Sequence, residues 1–186
     1  MKKPLETLYR DGRESGWSRG LQELIDNWLP VGPLTMAEVG CATGESTTLF
    51  MESGKIGLLY AVDAWHDAAD AKDPLVSQYP AAEQEALFDR RMVGHAGRLR
   101  KLKGLSVAMA AQVPDGSCDF VYIDACHLYE AVSADLRAWR PKVRSGGLLG
   151  GHDFGHCWIE TVGRAVRELL GEPDRIFPDT SWIKRV

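Results

Sequence analysis

Residues 35–46 read Thr-Met-Ala-Glu-Val-Gly-Cys-Ala-Thr-Gly-Glu-Ser. A short apolar strand, Thr35–Val39, runs into a glycine turn, Gly40-Cys41-Ala42-Thr43-Gly44, and then into a helix expected over Glu45–Ser53. Gly40 suits a tight turn with positive φ, and Gly44 lets the chain pass close to a ligand. The helix start behind the turn favours a negative group such as a carboxylate. A dinucleotide fingerprint needs G-x-G-x-x-G, and Ala42 replaces the middle glycine, which counts against pyrophosphate and a nicotinamide oxidoreductase.

Outward from this turn, strands and helices alternate. Upstream, Leu21, Leu24, Ile25 and Trp28 form one helical face that Pro30, Gly32 and Pro33 end. Downstream, Ile56–Val62 is an apolar strand ending at Asp63, Ala81–His95 a helix, Leu99–Leu102 a short strand and Leu105–Gln112 a helix. Asp119–Ile123 is a buried strand ending at Asp124. Tyr129, Val132, Leu136 and Trp139 mark a helix closed by Pro141. Leu148 and Leu149 lie in a strand ending at Gly150-Gly151-His152-Asp153, and Val162, Val166, Leu169 and Leu170 mark a last helix. Arg175–Phe177 and Trp182–Val186 suit a closing antiparallel pair. This order predicts a doubly wound α/β domain over residues 35–186, preceded by an arm and helix over 1–34.

Composition narrows the function. The 186 residues are 45% hydrophobic and 26% charged, with a formal charge of −4. Such a balance argues against coating nucleic acid or an anionic membrane. Met1-Lys2-Lys3-Pro4 is not backed by an apolar run, so no signal peptide is expected, and no stretch approaches the ~20 residues of a membrane span. Cys41, Cys118, Cys126 and Cys157 lack C-x-x-C spacing and are expected as free thiols in a reducing, cytoplasmic compartment. Six tryptophans suit a core or a homo-oligomeric interface.

Ligands of such sheets sit at the carboxyl ends of the strands, where strand order reverses. Asp63, 19 residues beyond Gly44, can accept hydrogen bonds from both hydroxyls of a ribose. The ends at Asp124 and at His152-Asp153 would gather Asp124, Cys126, His127, His152, Asp153 and His156, with three of the five histidines. Imidazoles and carboxylates together can hold a divalent metal or move a proton near neutral pH.

These stretches, with Ile123-Asp124-Ala125-Cys126-His127-Leu128-Tyr129-Glu130, Asp135-Leu136-Arg137-Ala138-Trp139 and Gly146-Gly147-Leu148-Leu149-Gly150-Gly151-His152-Asp153-Phe154, resemble class I S-adenosylmethionine-dependent methyltransferases. The narrower likeness is to a small bacterial subgroup related to macrocin-type O-methyltransferases and cephalosporin-hydroxylase-like proteins. The resemblance implies a Rossmann-like seven-stranded sheet with an antiparallel last strand, and S-adenosyl-L-methionine as cofactor. It implies that Gly40, Ala42, Thr43, Gly44 and Ser46 surround the methionine part, with Glu38 anchoring the loop. Asp63 would hold the ribose, Ala64, Trp65 and Ser106 would flank the adenine, and Asp124 would face the sulfonium and the acceptor.

Metal-dependent relatives carry acids at the ends of the fourth and fifth strands. Asp124 and Asp153 fit that pattern, whereas His152 stands where an acid is expected, and Cys126 stands where other relatives place a second Asp. Asp124, His152 and Asp153 are therefore candidate ligands for Mg, Mn or Zn. The expected reaction is O-methylation of a small-molecule or sugar hydroxyl. His127 or His152 would serve as base, and Asp124 and Asp153 would orient it or bind metal. A cofactor-binding accessory protein without catalysis is the alternative. The arm at 1–20 and the loop at 66–80 are the expected specificity elements.

Overall fold

The computed structural model describes residues 18–66, 79–156 and 160–186. Most of the expected arm (1–20) and loop (66–80), together with Cys157, lie outside the described residues. The strands are β1 (Leu34–Val39), β2 (Ile56–Asp63), β3 (Leu99–Lys103), β4 (Cys118–Ile123), β5 (Val143–Gly151), β6 (Arg175–Ile176) and β7 (Trp182–Arg185). The helices are α1 (Arg19–Asn27), α2 (Glu45–Glu52), α3 (Ala81–Met92), α4 (Ser106–Ala110), α5 (Tyr129–Trp139) and α6 (Glu160–Leu170). The strands form one seven-stranded sheet in the order 3-2-1-4-5-7-6. β1 to β5 are parallel, β7 runs antiparallel to β5, and β6 pairs antiparallel with β7.

Alternation along the strands explains the layering. Met36, Phe120 and Tyr122 point to one face, where they meet Leu21, Leu24 and Ile25 of α1, Phe50 and Met51 of α2, and Phe88 and Met92 of α3. Ala37, Val39, Val121 and Ile123 point to the other face, against Ala110 of α4, Leu136 and Trp139 of α5, and Ala165 and Val166 of α6. Burial on both faces accounts for the near-continuous apolar runs of the central strands. Among the described residues no helix is long and apolar enough to cross a membrane.

Two helices are shorter than expected. The helix expected over Ala81–His95 stops at Met92 and continues as a 3-10 segment, Val93–Arg98. That segment holds Gly94 and Gly97, which are poor α-formers. The helix expected over Leu105–Gln112 is regular only over Ser106–Ala110. It then tightens into i→i+3 bonds, Gln112 N–H to Met109 O at 2.9 Å and Val113 N–H to Ala110 O at 3.1 Å, ahead of Pro114.

Strand order reverses between β1 and β4, and their ends are stapled together. Asp124 N–H donates to Val39 O (2.7 Å), Gly40 N–H to Val62 O (2.8 Å) and His152 N–H to Ile123 O (3.2 Å). The residues following β1, β2, β4 and β5 therefore share one edge of the sheet.

Candidate active site

The glycine turn is built on left-handed backbone. Gly40 has φ +95° and Gly44 φ +81°, and Ala42 between them has φ +41°. A Cβ at Gly40 would fall 1.9 Å from the Asp124 carbonyl oxygen, so any side chain there would drive β1 from β4. Ala42 is held in its costly conformation from both sides. Its N–H donates to Asp63 Oδ2 (2.8 Å), and its carbonyl accepts from Trp65 Nε1 (2.8 Å). Asp63 Oδ1 accepts from Trp65 N–H at 2.8 Å. Each Asp63 oxygen keeps a second lone pair, and the residue stays partly exposed.

Burial along this edge alternates in a useful way. Gly40, Ala42, Ser46, Asp63 and Ala64 are partly exposed, whereas Cys41, Thr43, Gly44 and Trp65 are buried. A ligand lying here would meet backbone and a carboxylate, which suits the amino-acid and ribose parts of an adenosyl amino acid. Trp65 packs its ring on Phe88 (centroids 5.0 Å apart) and under Lys101 Nζ (4.6 Å), so it offers a ligand little surface and leaves Ala64 as the accessible neighbour. Ser106 lies at the start of α4, where its hydroxyl accepts from Trp139 Nε1 at 2.8 Å.

Beneath the turn, Glu38 is fully buried and accepts from the Ser46 hydroxyl. Its Oε2 has no hydrogen-bond partner among the described residues. Burial, aided by the charge of Asp124, pushes its carboxyl from 4.5 up to about 7 against the pull of the Ser46 bond. The folded state thus keeps a proton that the unfolded chain releases, so stability falls as pH rises from about 4.5 through 7. Glu38→Gln is expected to remove that slope, worth about 3 kcal/mol across the window. Denaturant titrations of both proteins at pH 4.5 and pH 8 check this; parallel pH dependence in the two would contradict it.

At the ends of β4 and β5 two carboxylates meet two imidazoles. His127 Nε2 is 2.9 Å from Asp153 Oδ2 and 3.9 Å from Asp124 Oδ1, and His152 Nδ1 is 3.3 Å from Asp153 Oδ1. Asp153 is buried with φ +62°, a left-handed conformation that turns its carboxylate between the two rings. Asp124, His152 and Asp153 each place a ligand atom within 4.8 Å of the others. A cavity beside them is lined by Cys126, His127, His152, Val132, Val162 and Trp182, among others.

A family model described as a methyltransferase domain matches residues 37–154, from β1 through the His152-Asp153 end. The chain belongs to that family. It is an S-adenosylmethionine-dependent methyltransferase. The solved O-methyltransferase NovP shares its fold with TM-score 0.62 at 17% identity, over 93% of this chain and 78% of that one. The calicheamicin methyltransferase CalS11 does so with TM-score 0.62 at 17% identity, over 100% and 86%. A precorrin-8W decarboxylase from Methanobacterium thermoautotrophicum has TM-score 0.60 at 16% identity, over 89% and 84%. No curated protein sequence matches the chain.

The electrostatics of the methyltransferase's histidines follow from their neighbours. Burial lowers the His127 pKa, but hydrogen bonds and charge from Asp124 and Asp153 outweigh it and push the ring up to about 11. Burial likewise lowers His152, and the charge of Asp124 with the bond to Asp153 carries it up to about 9. Burial would raise Asp153, yet its bonds from His127 and His152 hold it well below the usual carboxylate range. At neutral pH the cluster therefore comprises two imidazolium rings clasping a carboxylate. His152 Nε2, buried, has no hydrogen-bond partner among the described residues.

One residue of the methyltransferase's turn escapes a sequence reading. Arg91 of α3 donates through Nη1 to Thr43 O (3.0 Å) and Thr43 Oγ1 (3.1 Å). It clamps the turn from outside. Its only signal is the i, i+3 spacing from Phe88, whose ring lies 2.9 Å from where a Gly44 Cβ would sit.

Proposed function

We propose that the methyltransferase moves the methyl group of S-adenosylmethionine to a hydroxyl of a small molecule or sugar. The adenosyl ribose would rest on Asp63, the methionine part against Gly40, Ala42, Thr43, Gly44 and Ser46, and Asp124 would face the sulfur. The observation that carries the hydroxyl acceptor is the pair of imidazoles and pair of carboxylates within reach of Asp124, one strand from the glycine turn. The O-methyltransferases NovP and CalS11, the latter a TDP-rhamnose 3'-O-methyltransferase, share the fold and make nucleotide sugars sensible first acceptors.

The cofactor supplies an electrophilic methyl on a sulfonium, so the protein's task is alignment and removal of one proton. Asp124, pinned by its backbone to Val39, fixes one side of the acceptor space. His127 donates through Nε2 to Asp153 Oδ2 at 2.9 Å, which sets the ring's orientation, and its other ring nitrogen, Nδ1, takes the hydroxyl proton when the ring is neutral. Asp124, His152 and Asp153 offer two carboxylates and one imidazole, a donor set that suits Mn or Zn as well as Mg, and the unpartnered His152 Nε2 suits such a ligand. A cation bound there would lower the pKa of an adjacent hydroxyl and offset the carboxylate charge that now holds the imidazoles protonated.

The test is methyl transfer from S-adenosylmethionine to a panel of hydroxylated acceptors, nucleotide sugars included. It is run after chelation and again with Mg, Mn or Zn restored. Loss on chelation and recovery with one ion supports the metal assignment; full activity after chelation contradicts it. Because the neutral fraction of His127 grows tenfold per pH unit below its pKa, the metal-free rate is expected to climb with slope near one above pH 7. His127→Ala should flatten that profile, and an unchanged slope would assign the base elsewhere.

A further inference from the structure

Resting on the proposal that a hydroxyl is methylated between Asp124 and His127, we infer that Trp182 is a specificity-determining residue whose indole N–H receives a second oxygen of the acceptor. That oxygen is a hydroxyl or carbonyl borne on the carbon beside the reacting one. Trp182 is 1% exposed, and among the described residues its Nε1 has no hydrogen-bond partner. An indole nitrogen can only donate, and a buried donor left unpaired is costly, so buried indole N–H groups usually meet an acceptor. The described chain offers none here, which leaves that role to an oxygen of the ligand.

The N–H edge of the ring lies where the strands end. Trp182 on β7 pairs with Gly151, the last residue of β5. A Cβ at Gly151 would stand 3.0 Å from Trp182 Nε1 and 2.3 Å from Ile123 O, so glycine there leaves room for the indole beside the end of β4. Ile123 and Trp182 also line the cavity that Asp124 and His127 border. Its volume, about 10 Å³, has room for one oxygen-sized group. Val132, Leu136 and Val162 give it apolar walls, so a carboxylate, a phosphate or a hydrated ion does not fit. The oxygen held there is not the one that takes the methyl group. β5 separates β7 from β4, which puts the Trp182 backbone roughly 10 Å from β4, on the side away from the glycine turn. The reacting oxygen faces the sulfur across Asp124, and the oxygen on Trp182 lies beyond it, further along the acceptor.

Methyl-transfer kinetics on matched acceptor pairs, at saturating S-adenosylmethionine, test the assignment. Catechol against phenol is the smallest pair; each nucleotide sugar is paired with its form deoxygenated at the carbon beside the methylated hydroxyl. A water can fill the cavity when the second oxygen is missing, so the wild type is expected to favour the two-oxygen member about tenfold in kcat/KM. Trp182→Phe keeps an aromatic ring and removes the donor, which should bring that ratio to within threefold of one. Val162→Ile keeps the indole and narrows the cavity by a methylene; it should cut the ratio similarly and decides the matter if Trp182→Phe fails to fold. A merely structural loss lowers both members alike, and chelation of a metal by the two oxygens does not need the indole. A wild-type ratio retained in the folded variant, or a ratio near one in the wild type itself, would therefore overturn the role of Trp182 and leave methyl transfer to a hydroxyl standing. Methylation of no acceptor by a protein that binds S-adenosylhomocysteine would instead remove the hydroxyl-acceptor reading on which it rests.

Discussion

Asp63→Ala is expected to weaken binding of S-adenosylhomocysteine about a hundredfold while the protein still folds. In the proposed complex its carboxylate accepts from two ribose hydroxyls, and hydrogen bonds to a charged group contribute about 1.5–3 kcal/mol each. Losing two amounts to roughly 3 kcal/mol, or two orders of magnitude. The variant also loses the bonds to Ala42 N–H and Trp65 N–H, each 2.8 Å, that hold the turn in place. Calorimetric titration measures the affinity and a melting curve measures the turn. Affinity within fivefold of wild type would show that the ribose lies elsewhere.

Asp153→Asn should have the largest effect on turnover. The substitution keeps the shape but removes the charge that His127 and His152 share at 2.9 Å and 3.3 Å. Loss of orientation of the proton acceptor costs about 10²–10⁴ in rate, so kcat extrapolated to fully neutral His127 in both proteins should fall by that order. Stability should fall too, by about 3 kcal/mol, because a buried charge cluster loses its central partner. The pH dependence of that loss has a definite sign. Stability from the raised histidines is complete below 6.5 and is lost as pH rises through about 9 for His152 and 11 for His127. Stability from the lowered Asp153 carboxyl is present above 3.8 and is lost as pH falls. The gap between wild type and variant should be widest near pH 5–6 and narrow on the alkaline side. Denaturant titrations from pH 5 to 10 read this, and a gap that widens with pH would contradict the charge assignment.

The order of strands and the acids at their ends were legible because both rest on local pattern. Apolar runs such as Ile56–Val62 and Asp119–Ile123 can only be strands covered on both faces, and a polar residue that ends such a run must stand at the sheet edge. The antiparallel pair at Arg175–Ile176 and Trp182–Arg185 followed from the same pattern. Details that depend on long-range contact were not legible. Nothing local says that the Trp65 indole turns back to Ala42, that Arg91 crosses from α3 to Thr43, or that Trp139 reaches across to Ser106. The helix at Ala81–His95 was overextended because propensity summed along a window hides two glycines near its end. His127 and His152 were identifiable as candidate site residues, but their charge was not, since it depends on the position of Asp153 between them.

The central claim is that an adenosyl cofactor lies across the ends of β1 and β2. A crystal structure of the wild-type protein grown with saturating S-adenosylhomocysteine tests it most directly. The account predicts ribose hydroxyls within hydrogen-bonding distance of Asp63, backbone of the 40–44 turn against the methionine part, and the sulfur beside Asp124. Ligand density elsewhere on the molecule, or none at this edge with Asp63 still closed on Ala42 and Trp65, would contradict it.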